Sequence, residues 1–384
     1  MTPAGNVVSG LMESFPRTSA VILQGIADHT HLGVQLYVSV RGVPRADAAV
    51  GELRPGAPLT ADTLMPWLSS GKPVAAVVIG RLWEGAALEL DDPVVRFIPE
   101  FGAGGKAAVT IRHLLTHTGG FRAGMRYEPA MSWSEIIASI CEARLEPGWI
   151  PGARAGYHTW TSWYILAEIV RRLEGREYSQ VVRRAVFEPL GMMDSWIGIP
   201  PERRAAYGDR FGILYDTSGE IRPSEADGEA RGWPYRPGGS GRGPMRELGR
   251  FYEMLRARGT WAEVGILAPQ TVEALTARHR CGMFDQTFRH VMDWGLGFIL
   301  DSKMYGTEPP PYGYGRHASS RTFGHSGYQS SCAFCDPEHG VVAAWAANGL
   351  PGEPRHQARA AALNAAIYED LGLAALKEDP DRSL

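Results

Sequence analysis

Ser69 and Lys72 stand three residues apart in Ser69-Ser70-Gly71-Lys72, the one Ser-x-x-Lys in a chain with four lysines among its 39 basic residues. The other basic residues are arginines, whose guanidinium stays protonated at any accessible pH. A desolvated lysine, by contrast, can lose its proton near neutrality. A lysine kept in so arginine-rich a composition is therefore a candidate for proton transfer. Residues i and i+3 share a helix face with Cβ atoms about 5–6 Å apart, so the amine can reach the hydroxyl. Such a pair makes an activated serine nucleophile. The spacing equally fits an exposed helix-start serine beside a solvated lysine, so other residues must decide.

Tyr157 lies in the turn-rich Pro151-Gly-Ala-Arg-Ala-Gly-Tyr-His-Thr159, just before an amphipathic stretch. Next to an amine, positive charge would lower its phenol pKa and let it act as a base; otherwise it is a packing residue. Gly324-His-Ser-Gly-Tyr328 precedes a strand of small residues, and Gly327 would let another backbone, such as a substrate's, approach closely. The segment fails as a Gly-x-Ser-x-Gly elbow because Tyr328 replaces the last glycine and no helix follows. His113 and His117 lack the glutamate of a zinc helix and a third ligand, so hydrogen bonding at a helix end accounts for them better. Asp28-His-Thr-His31 is too sparse for a zinc hydrolase. Cys332-x-x-Cys335 has no second ligand pair and leads into another strand, which indicates unpaired cysteines in a sheet. Gly238-Gly-Ser-Gly-Arg-Gly243 fails the dinucleotide spacing and reads as the end of a loop excursion.

The elements that must position these residues change character along the chain. Leu32–Arg41 alternates at period two, Gly42–Pro44 turns, and Arg45–Leu53 offers a second strand. Helical spacing starts at Pro66, with Ala75, Val78, Ile79 and Leu82, and recurs over 109–115, 133–143, 161–173 and 177–187. Residues 200–244 form a long polar, Gly/Pro-rich excursion, followed by helices over 245–258 and 269–278. Strands return over 294–300, 321–323, 328–334 and 341–347, before a helix over 354–371. The expected fold is α/β (α+β): an antiparallel sheet built from both chain ends, flanked by helices, with a mainly helical insertion. Residues 1–62 and 286–384 would make the sheet domain. Residues 63–285 would make the helical domain with the serine, lysine and tyrosine.

At 384 residues the chain exceeds one simple core. Its 44% hydrophobic and 21% charged content is that of a soluble globular protein. A net charge of −3 gives no basic face for nucleic acid. No apolar run reaches about 18 residues, which argues against a membrane span. Met1–Pro16 lacks a basic segment followed by an apolar one, and the four cysteines agree with a reducing compartment; a cytoplasmic protein is expected.

In order along the chain, these segments resemble the serine β-lactamase and penicillin-binding-protein superfamily, in its class C β-lactamase-like branch with family VIII esterases and lovastatin-type transacylases. Leu59–Lys72 resembles the nucleophile block. Leu90–Val94, Ile98–Phe101 and Ile111–Gly120 resemble its structural blocks. Pro151–Thr159 resembles the tyrosine motif, Phe187–Met192 the block closing that region, and Gly324–Gly327 with Asp336 and Asn348 the third motif and its strand. The resemblance implies Ser69 as nucleophile, Lys72 and Tyr157 sharing general base and acid duty, and His325 steadying the tyrosine's charge. It also implies backbone N–H groups of Ser69 and Tyr328 as an oxyanion hole. Thr159, Trp160, Ser326 and Gly327 would face substrate; Trp149, Trp160 and Trp163 around the tyrosine motif either wall an apolar pocket or pack in the core. Two departures stand out. Thr159 replaces a carboxamide, and His325 replaces a cationic lysine; both weaken β-lactam and peptide chemistry. The implied activity is an esterase or transacylase on an ester or thioester. Its partners would be a small-molecule or carrier-bound acyl donor and water or an acceptor, with no cofactor. A non-catalytic binding module and an amide-handling peptidase relative are the alternatives.

Overall fold

The computed structural model describes residues 10–123, 125–128, 130–224, 226 and 235–374. Seven strands form one sheet: β1 (Gly33–Val40), β2 (Val43–Arg54), β3 (Ala57–Pro58), β4 (Ile299–Leu300), β5 (Phe323–Gly327), β6 (Ser331–Asp336) and β7 (Val341–Ala347). Their spatial order is β4-β5-β6-β7-β1-β2-β3, and every neighbouring pair is antiparallel. The two ends of the chain meet where β7 pairs with β1, from Val34 opposite Ala347 to Val40 opposite Val341. β1 turns into β2 through Arg41 and Gly42, at φ 51° and 83°, the positive-φ pair that a two-residue hairpin requires.

Five helices matter for the site: α1 (Pro16–Ala27), α2 (Lys72–Glu84), α3 (Thr161–Glu174), α4 (Met245–Arg256) and α5 (Glu353–Asp370). Every residue of β6 and β7 is buried, because both sheet faces are covered. Val342, Ala344 and Ala346 join the core formed with α2, α3 and α4, while Val341, Ala343 and Trp345 join a second core under α1 and α5. This explains a strand of near-continuous small apolar residues instead of an alternating one. Cys332 and Cys335 face opposite cores and are free thiols. α5 caps α1: Asp370 accepts the N–H groups of Arg17 at 3.1 Å and Thr18 at 2.8 Å.

The strand and helix expectations hold in outline, with differences: the strand read over 321–323 runs Phe323–Gly327, and the helix read from Pro66 begins as a 3-10 turn at Leu68, among others. α1 has no counterpart in the sequence reading. The expected strand over 294–300 shrinks to β4, because Gly297 takes φ 84° and Trp294 makes only isolated bridges. The strand expected from 328 starts at Ser331; residues 328–330 turn, with Gln329 at φ 44°. The helix over 177–187 ends in a π turn, Arg183–Phe187. The excursion over 200–244 contains a helix, Pro201–Tyr207, and short strands including Gly241–Gly243; residues 225 and 227–234 of it lie outside the described residues.

Candidate active site

Ser69 sits in a 3-10 turn, Leu68–Gly71, that leads into α2. Three neighbours fix this turn. Trp67 donates its backbone N–H to Gly241 O (2.7 Å) and its indole N–H to Gly243 O (3.0 Å). Ser331 Oγ donates to Trp67 O (2.6 Å) and lies 2.9 Å from Ser70 Oγ. Leu68 is thereby held at φ 50°, a strained conformation for a residue with a Cβ, of the kind that clusters at functional sites.

Lys72 Nζ donates to Ser69 Oγ at 2.9 Å and to Gly238 O at 2.6 Å, and Tyr157 Oη donates to the same Ser69 oxygen at 2.9 Å. Lys72 is 0% exposed, and Ser69 and Tyr157 are 8% exposed. Burial holds the Lys72 amine well below its usual pKa, and the Arg236 guanidinium lowers it further. Among the described residues no carboxylate pairs with it. The rings of Tyr157, Trp160 and Trp163 surround its Nζ at 5.3–5.5 Å. The expected lowering of the tyrosine does not occur. Burial pushes the Tyr157 phenol above its usual range, and Asp285 adds to the rise against the Ser69 hydrogen bond. Burial disfavours the charged form of the amine beside it, the form that would favour the phenolate.

Tyr157 is held through its backbone. Its N–H donates to Asp285 Oδ1 (3.1 Å), and its carbonyl accepts from Thr287 Oγ1 (3.0 Å). Asp285 also takes the N–H groups of Thr287 and Phe288 and pairs with the buried Arg280 at 3.0 Å. Burial lowers Arg280 to about 10, which leaves it charged at neutral pH.

His325 stands 6.0 Å from Tyr157, ring to ring, on β5. Its Nδ1 faces Ser326 O at 2.8 Å, so Nδ1 carries the proton and Nε2, which has no partner among the described residues, is bare. Burial, with the charge of Lys72, lowers its pKa to about 3. His325 is neutral, and it shares no hydrogen bond with the tyrosine among the described residues.

A family model described as Beta-lactamase matches residues 16–367. The chain belongs to the beta-lactamase family. It is 29% identical over 348 residues to Esterase EstB of Burkholderia gladioli, covering 80% of this chain and 84% of that one. It is 26% identical over 331 residues to Esterase/beta-lactamase LipL of Mycobacterium tuberculosis, covering 76% and 71%. The crystal structure of a penicillin-binding protein homolog from Caulobacter crescentus superposes with TM-score 0.75 at 30% identity, over 93% of this chain and 97% of that one. The chain is a serine hydrolase of the β-lactamase-like superfamily.

In this beta-lactamase-family member the remaining expected residues divide. Thr159 is exposed and Trp160 half-buried, while Trp149 and Trp163 are core residues. The aromatic surface near the phenol is instead Phe288, 4.8 Å from Tyr157 and 5.8 Å from Tyr312. Ser326 Oγ donates to Tyr312 O at 3.3 Å. Gly327 admits a close approach, as expected, but the approaching backbone belongs to the nucleophile turn. A Cβ there would meet Trp67 O at 2.4 Å and Ser331 Oγ at 2.3 Å. Tyr328 follows the last paired residue of β5, and its side chain is half exposed.

Sequence reasoning missed three participants: Gly238, Arg236 and Asp285. The glycine run 238–243, read as a loop end, was the available signal. A Cβ on Gly238 would meet the Trp163 ring at 2.6 Å, and one on Gly239 the Trp160 ring at 2.4 Å. His113 does sit at a helix start, exchanging hydrogen bonds with Thr110. His117, expected in the same role, packs 4.7 Å from Tyr157 at φ 57° and accepts from His158 N–H at 3.0 Å.

Proposed function

We propose that the protein forms an acyl-enzyme at Ser69 from an ester or thioester. One observation carries this reading: the Ser69 hydroxyl oxygen is in hydrogen-bond contact with Lys72 Nζ and Tyr157 Oη at 2.9 Å each. A neutral lysine is a base and a protonated phenol is an acid, so the burial of both sorts their duties. As Ser69 attacks the acyl carbonyl, its proton passes to Lys72. The Tyr157 proton goes to the leaving oxygen or sulfur, and Lys72 returns a proton to the phenolate. Water or an acceptor alcohol then attacks the acyl-enzyme, and its proton travels back to Ser69 through the same pair. The backbone N–H groups of Ser69 and Tyr328 take the oxyanion, a role worth about 3–4 kcal/mol per donor.

The third motif favours esters over β-lactams. His325 is neutral and offers no cation to a β-lactam carboxylate. Free thiols at all four cysteines fit a cytoplasmic setting. Fluorophosphonate labelling followed by intact-protein mass spectrometry tests the reading. One adduct is expected on the wild type and none on Ser69→Ala, with p-nitrophenyl ester turnover lost in parallel. An adduct retained in Ser69→Ala would overturn the assignment.

A further inference from the structure

Arg236 is the charged residue nearest the lysine that this mechanism leaves unused. A tight turn fixes its backbone: its N–H donates to Ser240 Oγ (2.9 Å), and its carbonyl accepts from Gly239 and Ser240 (2.9 and 2.8 Å). Its guanidinium lies 4.5 Å over the Trp160 ring and 5.7 Å from the Tyr127 ring, and its Nη2 donates to Ala226 O (3.0 Å). It is half-buried, yet among the described residues it has no carboxylate partner and its buried Nε has no hydrogen bond. Among the described residues the guanidinium is thus partly desolvated with no anion beside it, which is costly, and stacking on aromatic rings offsets only part of that cost. Such a cation beside a nucleophile suits an anion that arrives with the substrate. The contacts run from Ser69 Oγ to Lys72 Nζ, to the Trp160 ring and to Arg236, and no leg exceeds 5.5 Å. On the tyrosine side the wall is Phe288 and Tyr312, which are uncharged.

We propose that Arg236 is a specificity residue that binds a carboxylate on the substrate, so that the preferred ester is a half-ester of a short dicarboxylic acid. The inference depends on Ser69 being the nucleophile. Its test compares the mono-4-nitrophenyl ester of glutaric acid with 4-nitrophenyl butyrate, which has no charge, on wild type, Arg236→Gln and Arg236→Lys. The measured quantity is the ratio of the two kcat/KM values, in which effects common to both esters cancel. The wild type favours the half-ester by at least about tenfold, as a charge-assisted contact provides. Arg236→Gln brings the ratio near one, and Arg236→Lys retains an intermediate preference. A wild-type ratio of one or less, or the same ratio in Arg236→Gln, overturns the proposal while leaving the Ser69 reading intact. If neither ester turns over and Ser69 takes no label, the Ser69 reading fails and calorimetric titration with glutarate decides Arg236. Binding by the wild type that is lost in Arg236→Gln supports the carboxylate site. Absent or equal binding overturns it.

Discussion

Two of the three described lysines, Lys72 and Lys106, have no exposed surface, and the protein uses them in opposite ways. Lys106 donates to three carbonyls, those of Ala103, Cys141 and Ala143. Three acceptors match the three hydrogens of an ammonium, so the site is built for the charged form. Lys72 has two hydrogen-bond partners, a serine hydroxyl and the Gly238 carbonyl, and a guanidinium pressing on it instead of a carboxylate. Its site is built for the amine. Burial is common to both; the acceptor count and the neighbouring charge separate a structural pin from a base. Burial therefore does not mark chemistry by itself; the partners do.

The largest expected effect falls on Lys72. Lys72→Ala and Lys72→Arg should each lower acylation by about 10²–10⁴, the usual loss when general-base help is removed. Arginine keeps the charge and most of the reach but cannot accept the serine's proton. Stopped-flow acylation with a p-nitrophenyl ester measures this. A Lys72→Arg enzyme keeping a third of the wild-type rate would place Lys72 with Lys106 as a structural cation.

Asp285→Ala comes next, since Arg280 is a buried cation with a carboxylate beside it. Removing the partner leaves a buried guanidinium uncompensated, at about 3–5 kcal/mol of stability. It also frees the Tyr157 N–H. Urea midpoints should fall, and acylation should fall further than stability alone accounts for. An unchanged midpoint would show that Arg280 does not need its partner.

Lys106→Met should cost less, about 1–3 kcal/mol, because buried carbonyls lose their donor. Thermal unfolding should shift while acylation of the remaining folded protein stays at the wild-type rate. A slowed acylation step would erase the distinction between the two lysines.

Much of this contrast was legible in the sequence where the positioning is local. Ser69 and Lys72 are joined by one helical turn, and the Tyr157 segment carries its own turn residues. β1 was legible because it alternates at period two, and β7 because its apolar run is uninterrupted. What escaped depends on distant packing. Gly238 meets Lys72 across 166 residues and Asp285 meets Tyr157 across 128, and no local pattern announces either. α1 escaped because its buried face is Thr18, Ser19, Ile22 and Gly25, too polar and small to produce a hydrophobic period. The tyrosine's direction of shift was misread for a similar reason. It turns on whether the neighbouring amine is charged, and that depends on the tertiary environment of Lys72.

The smallest effect is a shift in pH dependence, and it tests the neighbouring charge directly. The titratable groups packed around Lys72 are Tyr157, His117, His325 and Arg236. Burial lowers both histidines, His325 to about 3 and His117 well below its usual value, so neither gains charge near neutrality. Tyr157 titrates above its usual range, and Arg236 contributes its guanidinium. The acid limb of kcat/KM, which reports the free enzyme, therefore belongs to Lys72, and activity falls as pH drops through its pKa because an ammonium cannot take the serine's proton. In Arg236→Gln the repulsion between two like charges is gone, protonation of Lys72 becomes easier, and the limb moves to higher pH. Profiles of 4-nitrophenyl butyrate hydrolysis on both proteins measure the shift. A limb that stays in place would mean that burial alone keeps Lys72 neutral, and the difference from Lys106 would then rest on the count of acceptors.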